Sequence, residues 1–249
     1  MVWVGEATPF SIEGWKGRYD NSILGETVKQ IFTTFFSQDR QKTFKLFFTS
    51  DYKYTYIGQD LLLDGRDVYL KYYRVCQAPS KIRLRNLLRG TIARKGMNLY
   101  YPLKQKGIEA VQPLFYAMGK KVIIPDEAIF ASASAGSNET LEPVLHKMKE
   151  EGNLLSLVKA LGSYVGYLHR QRVLYGELYR NLIPLADGNE WRFVLCDLDE
   201  MRSLSGMSDK HRNKYLKKLR TQLAALGGSA LDHFDEAYQR SLRQSIAAS

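Results

Sequence analysis

Cysteine is nearly absent from this chain: Cys76 and Cys196 are the only two in 249 residues. Neither has ligand-type neighbours at metal-binding spacing, so a zinc framework is excluded. The pair reads as buried free thiols in a reducing cytosol rather than as a disulfide. No run of about 18 apolar residues occurs, and no transmembrane helix is expected. The start, MVWVGEATPFSIEGWKGRYD, lacks a basic stretch followed by an apolar one, so secretion is not expected. Histidine is scarce too. His146 and His211 sit in polar contexts, His169 lies near the end of a helical pattern, and none has the neighbours of a zinc site or a nucleophile triad. Repeats, low-complexity linkers and the RRM, KH and helix-turn-helix signatures are all missing, and nucleic acid is not the expected partner. Acid is absent from one long stretch: between Val68 and Ile108 there are ten Lys or Arg and no Asp or Glu.

With 45% hydrophobic and 25% charged residues, the chain has the composition of a soluble globular protein, one large domain or two closely joined lobes. The net charge of +10 is concentrated in that acid-free stretch and in a second cluster, Lys210, His211, Arg212, Lys214, Lys217, Lys218 and Arg220. One-signed patches attract polyanions such as nucleic acid, an anionic membrane surface or a phosphorylated substrate.

Periodicity predicts an α+β order. Ile23 to Phe36 has helical spacing. Phe44–Phe48, Tyr54–Leu63 and Val68–Tyr72 read as strands, with Asp64-Gly65 as a two-residue hairpin turn. A basic helical region follows from about Lys81 to Lys106, which Pro102 is expected to kink or divide. Leu114–Met118 and Ala128–Ala133 read as two more strands. The rest is mostly helical: Leu141–Lys149, capped by Asn138 or Thr140, then Leu154–Gln171, then the periodic apolar residues Tyr215 to Leu226 and Phe234 to Leu242. Strands with one helix, then helices, is the order of a two-lobed protein-kinase-like fold with a hinge near Phe130–Ala135. The expected division is an extension over 1–40, a sheet lobe over 41–134 and a helical lobe over 135–249.

The run YGELYRNLIPLADGNEWRFVLCDLD, Tyr175 to Asp199, carries the chemistry. An acid, Glu177, is followed four residues later by an amide, Asn181, on a turn. An apolar strand then ends at Asp197. A kinase-type phosphotransferase needs those groups to hold a hydroxyl nucleophile and Mg²⁺ against ATP. A carboxylate at the end of a buried strand is costly unless it binds something, and Mg²⁺ is the natural partner of Asp197. Lys71, in VYLKYY on a strand after a hairpin, is placed to pair with the α- and β-phosphates.

The segments DGRDVYLKYYRV, IRLRNLLRGTIARKGMNLYYPLKQKGIEAVQPLFY, YLHRQRVLYGELYRNLI and FVLCDLDEMR together resemble the bacterial lipopolysaccharide core kinases of the InaA and WaaP type, over Phe44 to Tyr238. That resemblance implies a eukaryotic-kinase-like fold, ATP and Mg²⁺ as cofactors, and phosphorylation of a heptose or Kdo sugar. The partner would be the lipopolysaccharide core or its lipid-linked precursor, met at the anionic inner face of the inner membrane by a cytoplasmic protein. The basic segment Lys81–Lys106 would face that surface. The family lacks a standard glycine-rich loop, as does this chain, so the turn Thr49–Tyr52, with Ser50, takes its place over the phosphates. Asn181 corresponds to the second Mg²⁺ ligand and Glu177 to the catalytic acid. Asp199 corresponds to a further acid after Asp197.

Three departures stand out. Tyr175 replaces the usual histidine, and Glu177 replaces the usual Asp one residue closer to the amide. Glutamate reaches about one methylene further, so the longer acid and the shorter loop are either a matched pair or two signs of decay. The helix that should offer a Glu to Lys71 reads Arg94-Lys95-Gly96-Met97-Asn98 where the acid is expected, and Glu109 comes after it. These features favour the alternative, a catalytically degraded pseudokinase that serves as a binding or scaffold module.

Overall fold

The computed structural model describes residues 7–89, 92–119, 125–188, 190–198, 201–203 and 207–244, without the side chains of 85–89 and 202–203. The chain divides into two compact units, the first made of 1–104 and 111–136, the second of 105–110 and 137–249.

The first unit is a seven-stranded antiparallel sheet. Its strands are β1 (Ala7–Ile12), β2 (Trp15–Asp20), β3 (Phe44–Thr49), β4 (Lys53–Gly58), β5 (Val68–Arg74), β6 (Pro113–Met118) and β7 (Glu127–Ala133). They run in the order β1-β2-β6-β7-β5-β4-β3. Side chains alternate across β5, so Val68, Leu70 and Tyr72 enter one core and Tyr73 enters another. The first core is closed by α1 (Gly25–Phe36), which buries Val28, Ile31, Phe32 and Phe35 at helical spacing, and the single turn α2 (Arg40–Thr43) leads from it into β3. Burying each such side chain is worth roughly 1.5–3 kcal/mol. The opposite face is covered by α4 (Ile92–Gln105) through Ile92, Ala93, Met97 and Tyr101. Gly96 lets that helix lie flat, since a Cβ there would come within 2.9 Å of the Phe130 ring.

The strands expected over 44–72 and 114–133 are present, and the segment before residue 40 also belongs to this sheet. There β1 and β2 form a hairpin whose turn, Glu13-Gly14, has φ of 48° and 85°. Asp64-Gly65 is not a two-residue hairpin turn. Strand β4 stops at Gly58, and Gly65 donates to the Leu62 carbonyl at 2.9 Å inside a longer connection. Leu61 and Leu62 pack against the α1-side core, which draws the chain away from the ladder. Pro102 does not divide the basic region. It lies inside α4, between the buried Tyr101 and Leu103, while α3 (Ser80–Arg89) is a separate helix. Both cysteines are free, but Cys76 is exposed and Cys196 half-buried, so neither is the buried thiol expected.

The second unit is built on α6 (Leu154–Arg170), preceded by α5 (Leu141–Glu150). After α6 come the short strand β8 (Val173–Tyr175), the single turn α7 (Leu178–Asn181), the hairpin of β9 (Leu182–Asp187) and β10 (Glu190–Leu195), and β11 (Met201–Ser203). Helices α8 (Asp209–Leu226) and α9 (Gly228–Arg243) complete it. Gly162 and Gly166 bring α6 and α9 together, because Cβ atoms there would stand 2.4 Å from the Phe234 carbonyl oxygen and 2.7 Å from Ser241 Cβ. Segment 105–110 joins this unit. Lys106 Nζ donates to the Gln171 carbonyl at 2.7 Å, and Leu195 N–H donates to the Glu109 carbonyl at 3.0 Å.

Candidate active site

Between α6 and the β9–β10 hairpin the chain makes one compact loop, fixed from below by Tyr175. Strand β8 pairs with β11, Tyr175 opposite Met201, which buries the Tyr175 ring at 1% exposure. Its hydroxyl is shared between the carbonyls of Cys196 and Asp197, the latter at 2.8 Å. Asp197 has φ of 56°, a left-handed backbone that a side chain other than glycine adopts at a cost of roughly 1–3 kcal/mol. The Tyr175 phenol donates to its carbonyl and so helps to fix that conformation. Tyr175 stood in the sequence only as a departure from the usual histidine; in the structure its hydroxyl donates to the backbone that carries Asp197.

Glu177 opens the loop as the N-cap of α7, and its carbonyl accepts the N–H groups of Arg180 and Asn181, both at 3.0 Å. The four-residue spacing is thus one closed helical turn. Tyr179, whose hydroxyl lies 3.4 Å from His146 Nε2, and Arg180, 3.8 Å from Glu142, tie the turn to α5. The Asn181 carbonyl then accepts the N–H of Cys196 at 2.9 Å, and Leu182 pairs with Leu195. Asn181 therefore stands across from Cys196, one residue from Asp197. Phe193, Val194 and Leu195 are buried as expected of the strand that leads to Asp197.

An amide and a carboxylate on adjacent segments offer hard oxygen donors. Such a set fits Mg²⁺, which commonly takes one or two carboxylates and fills its shell with water and phosphate oxygens. No group of three His, Cys, Asp or Glu side chains converges among the described residues. Asp199 lies outside the described residues.

The Glu177 carboxylate is half-buried, and Lys218 Nζ of α8 stands 2.8 Å from both of its oxygens. Sequence reading treated Lys218 only as one member of a basic cluster. No local signal joins residues 41 apart, and the pair forms only because α8 folds back over the loop. Glu109, the first acid after α4, lies 3.4 Å from Arg192.

Ser50 and Lys71 belong to the first unit. Ser50 is exposed in the turn between β3 and β4, where its N–H donates to the Lys53 carbonyl at 2.8 Å. Lys71 is half-buried, in register with Thr55 of β4 and Phe130 of β7, on the sheet face that α4 covers. Arg83 and Arg94 are exposed, whereas the side chains of Arg85 and Arg89 lie outside the described residues. Lys106 is partly buried, and burial, then the nearby Arg172, holds its ammonium below the usual lysine range.

No family model matches the chain, and no curated protein matches it. Among solved structures it is similar to WaaP in complex with acyl carrier protein, with a TM-score of 0.59 and 17% identity over 79% of this chain and 78% of that chain. It is also similar to the amicoumacin kinase hAmiN in complex with AMP-PNP, Ca²⁺ and Ami, with a TM-score of 0.49 and 14% identity over 88% of this chain and 78% of that one. At these identities the likeness to WaaP speaks for fold, and it agrees with the resemblance read from the sequence. The chain has the α+β, protein-kinase-like fold of WaaP.

Proposed function

We propose that this chain is an ATP-dependent phosphotransferase of the lipopolysaccharide kinase type, acting on a sugar hydroxyl of the inner core. The observation that carries the reading is the backbone at Asp197: its φ of 56° is left-handed, its carbonyl accepts from the buried Tyr175 phenol, and the neighbouring Cys196 N–H donates to the Asn181 carbonyl. Strain of this kind persists where a site needs it. Asp197 and Asn181 would hold Mg²⁺, which when bound neutralises phosphate charge. Lys71 would pair with the α- and β-phosphates, and the Ser50 turn would cover them. Glu177 would take or orient the proton of the attacking sugar hydroxyl as its oxygen bonds to the γ-phosphorus and the bond to the β-phosphate oxygen breaks, leaving ADP. A carboxylate has about four lone-pair sites, so Lys218 can orient Glu177 and still leave room for the hydroxyl. The exposed cations of the 81–106 segment would meet the anionic glycolipid at the inner face of the membrane. No described helix is long and apolar enough to cross a membrane, which is compatible with such peripheral contact.

A second reading is a nucleotide-binding pseudokinase. It is favoured by the ammonium of Lys218 lying across both oxygens of the carboxylate that transfer would need. Thermal unfolding with and without Mg²⁺–ATP tests both. Ligand at a hundred times its dissociation constant should stabilise by about 2.7 kcal/mol, or roughly 5–10 °C for a chain of this size. A flat response sinks both readings. Stabilisation together with label transfer from γ-labelled ATP to core oligosaccharide supports the enzyme, and stabilisation without transfer supports the pseudokinase. Asp197→Asn should abolish the Mg²⁺-dependent part of the response while unfolding stays cooperative, and an unchanged response removes Asp197 from the site.

A further inference from the structure

The C-terminal end of α6, the N-terminal end of α8 and the C-terminal end of α9 meet around a cleft of about 390 Å³. Its walls include Arg170, Arg172 and Arg212, with His169, Met207 and Leu242. No acidic residue is among the described residues that line it. Asp209, which lies 2.7 Å from Arg212, is itself 85% exposed and turned to solvent. None of the residues placed in the candidate active site takes part.

Two of the three guanidinium groups are incompletely satisfied. The Nε atoms of Arg170 and Arg212 are both buried and without a hydrogen-bond partner among the described residues. The remaining contacts leave the cationic character intact. Arg170 donates to the Gln244 carbonyl at 3.0 Å, which is neutral, and Arg212 has the one exposed carboxylate. Buried N–H groups are nearly always paired in native proteins, and an unpaired one marks a place where water or an ion belongs. The field is felt nearby. His169, 2% exposed and 2.9 Å from the Tyr238 hydroxyl, has its pKa pushed down to about 4 by burial, then by Arg212 and Arg220. It is therefore neutral at physiological pH and adds no charge to the cleft. Helix α8 adds its N-terminal end, where backbone partial charge also favours an anion.

We propose that this cleft is a binding site for a soluble phosphate group, carried on a small organic molecule, separate from the candidate active site. Guanidinium forks match phosphate oxygens in charge and geometry and can bind them in pairs. The volume falls in the range of small-molecule sites and exceeds the needs of a bare phosphate ion. Met207 and Leu242 supply an apolar wall for the remainder of the ligand.

The test is calorimetric titration of the whole protein with inorganic phosphate and with glycerol 3-phosphate, at ionic strength matched by sodium chloride. Both should bind, and the ester more tightly if the organic part is read. Equal affinities would assign the cleft to free phosphate. The double variant Arg170→Met/Arg212→Met should weaken binding at least tenfold, while Lys71→Met and Asp197→Asn bind as the parent does. Should the double variant fail to fold, Arg172→Met, at an exposed position, should give a loss in the same direction. Three results overturn the proposal: no binding beyond the chloride control, binding that is indifferent to the arginine changes, or binding lost in Lys71→Met, which would assign the anion to the nucleotide site. A parent that binds phosphate through these arginines but ignores Mg²⁺–ATP would leave this site standing while the proposed function fell.

Discussion

Removing one oxygen atom from Tyr175 tests the link between the strained backbone of Asp197 and nucleotide binding. Tyr175→Phe keeps the ring in its buried place, 1% exposed, and deletes the hydroxyl that donates to the Cys196 and Asp197 carbonyls. A net hydrogen bond is worth about 0.5–1.5 kcal/mol, and a buried carbonyl left unpaired costs about 1–3 kcal/mol. The expected loss is thus about 2 kcal/mol, or roughly 4–8 °C in Tm for a protein of this length. The second consequence is more specific. Asp197 sits at φ of 56°, and without the phenol its backbone can relax toward negative φ. If about 1.4 kcal/mol of the loss falls on that conformation, Mg²⁺–ATP affinity drops roughly tenfold. Calorimetric titration with Mg²⁺–ATP, and with ATP in chelator, separates the two effects: only the Mg²⁺-dependent part should weaken. A variant that melts within a degree of the parent and binds Mg²⁺–ATP equally well would refute the idea that Tyr175 positions Asp197.

Glu177→Gln should lower phosphoryl transfer by about 100-fold or more while nucleotide binding persists, and Glu177→Asp should also transfer poorly, because the shorter acid falls short across the four-residue turn. Parent-like transfer by either variant would take Glu177 out of the chemistry. Replacing Arg83, Arg85, Arg89 and Arg94 by Gln should weaken co-sedimentation with anionic vesicles, most clearly at low salt, each charge near such a surface being worth about 1 kcal/mol. Equal binding would make that segment an ordinary solvated face. His169 is predicted to make the protein acid-sensitive. Its folded pKa of about 4 lies below the ordinary 6.5, so the unfolded chain takes up the proton first. Its contribution is fully present above pH 6.5 and is lost as pH falls toward 4, by about 3 kcal/mol in all. Urea unfolding of His169→Gln should therefore show a flatter stability profile than the parent between pH 4 and 6.5, and parallel profiles would contradict the depressed pKa.

Strand alternation in Val68–Tyr72 and the helical period of Leu154–Gln171 are local patterns, legible because burial on one face repeats along the chain, whereas Ala128–Ala133 is buried on both faces and was read as a strand from its short apolar run. The likeness in order to a kinase fold followed from them. The hairpin of Ala7–Ile12 and Trp15–Asp20 was not legible. Its turn places Glu13, not Asn or Asp, at the first left-handed position, and β2 finds its second partner only at β6, with Lys16 beside Met118. Of the two effects expected of Pro102, division of the helix did not occur: it lies inside α4, between the buried Tyr101 and Leu103. Sequence also placed Glu177 and Asp197 without saying what holds them. That came from contacts between residues far apart in the chain: a phenol under Asp197, an ammonium over Glu177, and a turn closed by backbone hydrogen bonds. Periodicity records which face of an element is buried; which distant polar group reaches which carbonyl is decided only when the elements pack.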